Sequence, residues 1–160
     1  MLVIAVVGSA DKADATRANG AAHVIRHDEE DIAARVADIT EGEGVPVIFD
    51  GVGKATWAAS LDSAARRGLI VSYGNASGPV TGVELGTLSK KGSLFVTRPT
   101  LFDYVVGEGE AQKAADRLFA MVEQGAVTPE IGQRFALADA ADAHRAIEAG
   151  GTRGSTILIP

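Results

Sequence analysis

Two apolar runs end in residues that could bind a ligand. The first, Gly68-Leu69-Ile70-Val71, leads into Ser72-Tyr73-Gly74-Asn75 and a loop of small residues, Ala76-Ser77-Gly78-Pro79. The second, Gly92-Ser93-Leu94-Phe95-Val96, leads into Thr97-Arg98-Pro99-Thr100. Hydroxyls, an amide and a guanidinium therefore gather where each apolar stretch stops. In an open α/β sheet, ligands lie outside the carboxyl ends of the strands, so the pair reads as one wall of a nucleotide pocket. Glycine at position 74 lets backbone approach a bound group, and the Asn75 amide can both donate and accept.

A second candidate lies near the start. The run at residues 2–7 ends in Val7-Gly8-Ser9, and Lys12 falls on the first turn of the helix that follows. A hydroxyl, a lysine and helix N-terminal amides together make an anion site. Dinucleotide-binding folds choose between cofactors at such a strand end, where an acid bonds a ribose 2′-hydroxyl and repels a 2′-phosphate; this strand ends without one. His27 follows the shorter run Val24-Ile25, and an imidazole donates a hydrogen bond more strongly when protonated.

Other chemistries find no support. The chain has no cysteine, which rules out a disulfide framework or thiolate zinc site, and its three histidines show no metal-binding spacing, so no metal is expected. His23 and His144 read as structural or surface residues. Ser72 lacks any nucleophile-elbow context, so a hydrolase reading fails. Asp28-Glu29-Glu30-Asp31 reads as a solvated helix start favoured by the helix dipole.

Those residues need elements to hold them. With 160 residues, 46% hydrophobic and 22% charged, the chain suits one globular domain. A net charge of −6 argues against a large nucleic-acid or anionic-membrane footprint. The start has no basic flank and too short an apolar core for a signal peptide, and no run reaches the roughly 20 apolar residues of a membrane span; a cytoplasmic location is the default. Apolar runs alternate with helix-period segments. Strands are expected at 2–7, 24–25, 45–49, 69–73, 94–97 and 155–159, and helices at 11–19, from Asp28 to about residue 41, at 54–65, 110–124 and 137–149. Asp28 is the expected cap of the second helix, whose Ile32, Val36 and Ile39 share a face. In the helix at 110–124, Ala111, Ala114, Ala115, Leu118, Phe119 and Val122 form an apolar stripe. Continuous rather than alternating apolar strands, separated by helices, predict an α/β fold with a parallel sheet and right-handed crossovers.

The segments Val7-Gly8-Ser9-Ala10-Asp11-Lys12-Ala13, Asp28-Glu29-Glu30-Asp31, Phe49-Asp50-Gly51-Val52-Gly53, Ser72-Tyr73-Gly74-Asn75, Thr97-Arg98-Pro99 and Gly154-Ser155-Thr156-Ile157-Leu158-Ile159-Pro160 occur in an order and spacing that resemble one family. It is the zeta-crystallin-like quinone oxidoreductases, of the zinc-free branch of the medium-chain dehydrogenase/reductase superfamily. The resemblance runs from about residue 3 to residue 160. It implies hydride transfer from NADPH to a quinone. It places Gly8, Ser9 and Lys12 at the adenosine 2′-phosphate, with His27 where relatives usually carry a tyrosine. It sets Val52 on the adenine side, Tyr73, Gly74, Asn75 and Ala76 against the nicotinamide ribose, and Thr97 and Arg98 towards cofactor or substrate. Relatives often carry a basic residue at the position of Gly150; here Arg153 stands nearby.

The implied fold is a Rossmann-like, mostly parallel sheet with helices on both faces, lacking the family's first β–α unit. The family's catalytic domain and its glycine-rich turn also have no counterpart, and no Gly-x-Gly-x-x-Gly follows any strand here. In the strand order 3-2-1-4-5-6 the missing strand is central. A truncated gene or a start codon set within a longer frame is the plain reading, and a strand donated by another chain the sharper one. The division implied is a partial nucleotide-binding domain at 1–135, with a helix and strand at 136–160 that in relatives pack on the catalytic domain. Relatives dimerise through the edge strand that holds Leu94, Phe95 and Val96. The chain alone is expected to be weakly active or inactive. Two alternatives stand beside the quinone reading: an enone or enoyl-thioester reductase, and a non-catalytic NADP-binding or dimerisation module.

Overall fold

The structure, a computed structural model, describes residues 2–160. The chain divides into two compact units, the first ending at Asp103 and the second spanning Tyr104–Pro160. Strands and helices alternate, and every ladder is parallel and joins strands that are consecutive in the sequence.

In the first unit β1 (Ile4–Val7), α1 (Ala10–Ala18), β2 (His23–Arg26) and α2 (Ile32–Ile39) are followed by β3 (Val45–Asp50), α3 (Trp57–Ser63), β4 (Ala64–Ser72), α4 (Leu85–Lys90) and β5 (Phe95–Thr97). A short helix, α5 (Leu101–Tyr104), lies at the boundary. Among the described residues β1 pairs only with β2, and β3, β4 and β5 form a separate three-stranded sheet. The parallel α/β architecture agrees with expectation, and the break in hydrogen bonding between the two ladders falls where the resemblance leaves out a strand. Helices α2 and α3 pack together, so the break is bridged by helix contacts.

Local chemistry sets the element ends. Ser9 is extended and its side chain caps α1, accepting from the Lys12 N–H at 3.4 Å. Gly20, at φ +93°, takes the left-handed turn after the Asn19 cap. The expected Asp28 cap is a correction: Asp31 caps α2, accepting from the Ala34 N–H at 2.8 Å. Asp28 is occupied by Arg26 instead, at 2.6 Å. The helix expected at 54–65 is shorter, because residues from Ala64 onward join β4, where Arg67 adopts φ +61° near a register shift. Tyr73 lies just past that strand. Helix α4 has no counterpart in the sequence reading. It supplies the crossover that two adjacent parallel strands require.

The core is small. Among the described residues Ile25 and Ile70 are the large side chains fully buried, and Leu61, Ile70 and Leu94 form a cluster with Ile48, Trp57, Ala64 and Leu88 against it. Register aligns Ile48, Ile70 and Val96, so this row faces α3. Side chains alternate along a strand, and Val47 and Phe49 point to the other face, where Phe49 is 72% exposed.

In the second unit α6 (Glu110–Glu123) precedes β6 (Ile131–Ala136), a 3-10 turn (Leu137–Asp139), α7 (Ala140–Glu148) and β7 (Ser155–Ile159). Strands β6 and β7 pair, and α7 packs on both. Strand β6 was not expected from the sequence. The apolar stripe of α6 forms, but no residue on it is buried.

Candidate functional site

Parallel register brings the candidate residues together. Val7 pairs with Arg26, so Gly8 and His27, the next residues along, stand side by side. A Cβ on Gly8 would lie 2.8 Å from His27 Nε2, so the bare glycine is what admits the imidazole. Ser9 and Lys12 follow on the first turn of α1, together with Asp11. Asp11 thus puts a carboxylate beside the expected anion site of Ser9 and Lys12.

The same logic holds in the second sheet. Asp50 pairs with Ser72, which sets Gly51 beside Tyr73; a Cβ on Gly51 would lie 2.8 Å from the Tyr73 hydroxyl. Val71 pairs with Thr97, which sets Ser72 beside Arg98. The Arg98 guanidinium donates to the Ser72 carbonyl at 2.6 Å and to the Gly74 carbonyl at 3.3 Å. With the Asn75 amide turned to satisfy both its atoms, it donates to the Gly74 carbonyl at 2.9 Å and accepts from Arg98 Nη2 at 3.2 Å. Arg98 is thus bonded to the loop after β4.

The loops after β3 and β4 are laced to each other. Ala76 and Ser77 donate from their N–H groups to the Gly51 and Val52 carbonyls at 3.3 and 2.8 Å. The Ser77 hydroxyl donates to the Val52 carbonyl at 2.8 Å and accepts from the Ala55 N–H at 2.9 Å. Gly74 sits against the Gly51 carbonyl, and Gly53, at φ +89°, has no room for a Cβ beside the Gly78 carbonyl at 2.7 Å.

Asp50 organises this pair of loops and was missed as a site residue. It is 4% exposed. Its Oδ1 accepts from the Val52 and Gly53 N–H groups, each at 2.9 Å, and from the Thr56 hydroxyl at 2.8 Å; Oδ2 accepts from the Ser60 hydroxyl at 2.8 Å. Burial pushes its pKa up, but the donors from Gly53, Ser60, Thr56 and Val52 outweigh that and hold it below the usual carboxylate value. The legible signal was an acid at a strand end followed by Gly-Val-Gly, with hydroxyls at 56 and 60.

His27 and Val52, from the two ladders, line one shallow cleft with Glu30, Asp31, Ile32, Ala55, Thr56 and Ala59. Its acids are engaged within the chain: Glu30 accepts from the Arg26 N–H at 3.0 Å and pairs with Arg35 at 3.3 Å, and Asp31 caps α2. The Arg26 guanidinium also holds the Asp28 carboxyl below its usual range. The eleven expected residues therefore fall into two groups, Gly8, Ser9, Lys12 and His27 at one pair of strand ends, and Tyr73, Gly74, Asn75, Ala76, Thr97 and Arg98 at another, with Val52 sharing the cleft with His27. Among the described residues no group of three or more acids and histidines is placed to hold a metal ion.

The chain resembles known proteins over nearly all its length. It is 52% identical over 158 residues to a quinone oxidoreductase of Pseudomonas aeruginosa, covering 99% of this chain and 49% of that protein. A 2-haloacrylate reductase of a Burkholderia species is 38% identical, with 99% and 48% covered. The crystal structure of Escherichia coli quinone oxidoreductase complexed with NADPH superposes with a TM-score of 0.95 at 45% identity, covering 99% of this chain and 49% of that one. Its nucleotide-binding architecture is the Rossmann-like α/β fold found here. The chain spans about half the length of the curated relatives it matches. The family model described as zinc-binding dehydrogenase matches residues 19–158, and the chain belongs to that family.

Proposed function

We propose that residues 2–160 form the cofactor-binding part of an NADPH-dependent reductase that acts on a quinone-type acceptor. The observation that carries this reading is the register of the two ladders, which collects the candidate residues at the carboxyl ends of parallel strands. The NADPH complex of the E. coli relative supports the choice of cofactor.

The donor set fits that group. The Ser9 hydroxyl, the Lys12 ammonium and the His27 imidazole surround the start of α1, where a 2′-phosphate would gain charge-assisted hydrogen bonds. Asp11 opposes it, so Lys12 must dominate. Val52 offers an apolar contact for the adenine side. Tyr73, Gly74, Asn75 and Ala76 would face the nicotinamide ribose, with Thr97 beside them and Arg98 holding their loop. When bound, NADPH supplies a hydride; the protein's part is to position it and exclude water. Zinc does not fit this donor set of hydroxyl, ammonium, imidazole and backbone groups.

By themselves residues 2–160 would be weakly active or inactive, since they match about half of each relative. Residues 136–160 pack on a catalytic domain. The outer edge of β5, whose partner among the described residues is β4, joins a second copy in a homodimer. The compartment is the cytoplasm. The 2-haloacrylate reductase relative favours a second reading, in which the acceptor is an activated alkene.

Calorimetric titration with NADPH and NADH tests the proposal. NADPH binds more tightly, and Lys12→Ala weakens NADPH about tenfold or more while leaving NADH unchanged. Equal affinity for the two cofactors, or no loss in the variant, refutes the assignment. Quinone reduction by the chain alone at ordinary enzyme rates, on the order of 10 per second, refutes the expected inactivity.

A further inference from the structure

Arg98 stands one residue past the last pair of the β4–β5 ladder, beside Ser72. Its guanidinium is a rigid fork of N–H donors. One arm, Nη1, donates to the Ser72 and Gly74 carbonyls at 2.6 and 3.3 Å. The other, Nη2, donates to Asn75 Oδ1 at 3.2 Å, and Asn75 Nδ2 donates to the Gly74 carbonyl at 2.9 Å. Guanidinium, amide and carbonyl thus close a ring. Turning the amide over would set its oxygen against the Gly74 carbonyl oxygen and its NH2 against the guanidinium, two repulsive contacts. Arg98 therefore decides which end of the Asn75 amide is which.

This goes beyond what the loop needs for its shape. The backbone there is already tied to the Gly51 and Val52 carbonyls through the Ala76 and Ser77 N–H groups. A bond to the side-chain oxygen of an exposed residue adds little to that path. What it does fix is the chemistry the residue presents. An asparagine amide has one oxygen and two N–H donors. Here the oxygen accepts from a cation and one N–H is held by Gly74, which leaves the second N–H for a group outside the chain. Hydrogen bonds in series polarise one another. The cation on Oδ1 makes that N–H a stronger donor and the oxygen a poorer acceptor.

We propose that Arg98 is a positioning residue that presents Asn75 as a hydrogen-bond donor to an acceptor oxygen of the nicotinamide ribose. The ligand named rests on the cofactor reading above. Arg98 acts through Asn75, and its charge is not itself the contact. A donor locked in place before binding loses no rotamer freedom when the ligand arrives.

The test uses the full chain, with calorimetric titration of NADPH and with two-dimensional NMR of the side-chain amides in the absence of cofactor. Asn75→Asp keeps an acceptor for Arg98 but has no N–H; it is expected to weaken NADPH about tenfold, as much as Asn75→Ala does. Arg98→Met should cost about as much, and so should Arg98→Lys, which keeps the charge without the fork. In the Asn75→Ala background Arg98→Met should add no more than about twofold, because its effect passes through the missing amide. A merely loosened loop would add its full cost there. The Asn75 amide pair, identified by its loss in Asn75→Ala, should shift in Arg98→Met. Four results overturn the proposal: an amide pair that does not respond to Arg98→Met, wild-type affinity in Asn75→Asp, affinity restored by Arg98→Lys, or additive losses in the double variant. An amide pair that responds in a chain that binds no NADPH overturns the cofactor reading, and with it the ligand named here. Circular dichroism of each variant distinguishes lost binding from lost folding.

Discussion

At Asp50 a buried carboxylate is kept charged by donors from a turn and from the start of a helix. Hydrogen bonds to a charged group contribute about 1.5–3 kcal/mol each in net stability. Asp50→Asn is expected to destabilise the first unit by about 2 kcal/mol, measured by denaturant unfolding at neutral pH. The sign with pH follows from the depressed pKa. The carboxylate's contribution is fully present above the unfolded-state value of about 3.9 and is lost as pH falls through the lower folded value. The gap between wild type and variant should therefore narrow in acid; a gap that stays constant to pH 2 would show that the charge plays no part. Asp50 also shows how a site residue escapes a sequence reading. Its type and its Gly-Val-Gly neighbours were visible, but only folding reveals that Thr56 and Ser60, six and ten residues on, return to the same carboxylate. His27 was legible as a donor. Its place against Gly8 comes from strand register, which one sequence leaves open.

Among the elements, a side chain extends the tie between β4 and β5 beyond their last ladder pair, Val71 with Thr97. Arg98 reaches back to the Ser72 and Gly74 carbonyls, so the loop that offers Tyr73 and Asn75 is held from the neighbouring strand. Arg98→Met keeps the length of the side chain but removes its donors. Amides at 74–78 should then exchange about tenfold faster, by the loss of roughly 1.4 kcal/mol of local stability, while those of Phe95–Thr97 change little. Unchanged exchange in the loop would rule out the clasp. Strands β3 and β7 were legible because they are continuous apolar runs, and α6 because its apolar spacing is regular. Helix α4 was not, since Leu85-Gly86-Thr87-Leu88-Ser89-Lys90 is short and carries a glycine and two hydroxyl residues of modest helix propensity. Strand β6 was hidden for another reason: Ile131-Gly132-Gln133-Arg134-Phe135-Ala136 mixes polar and apolar residues, and its pairing with β7 gives it form.

Over the whole molecule, apolar surface is plentiful and the core is thin. The segment around α5 exposes Leu101 at 70%, Phe102 at 77%, Tyr104 at 68% and Val106 at 79%. Exposed short connections are the usual sites of first proteolytic cleavage. Chymotrypsin at low concentration should cut first after Phe102 or Tyr104, as read by mass spectrometry of the earliest fragments; a first cut within β3 or β4 would contradict this account of where the chain is least protected. The fold class was legible because apolar runs and helical stretches alternate throughout. The openness of Phe49 and of the α6 stripe was not, because composition does not report what stands against a surface. The ladders carry a kinetic consequence as well. Each joins neighbours in sequence, Ile4 with His23, Leu69 with Phe95, Gln133 with Thr156. Among the described residues no pairing reaches across an intervening strand, so loop-closure entropy is modest and contact order is low for a parallel fold. Each ladder can close as a local βαβ event, and the chain should fold faster than a sheet whose central strand must wait for distant partners.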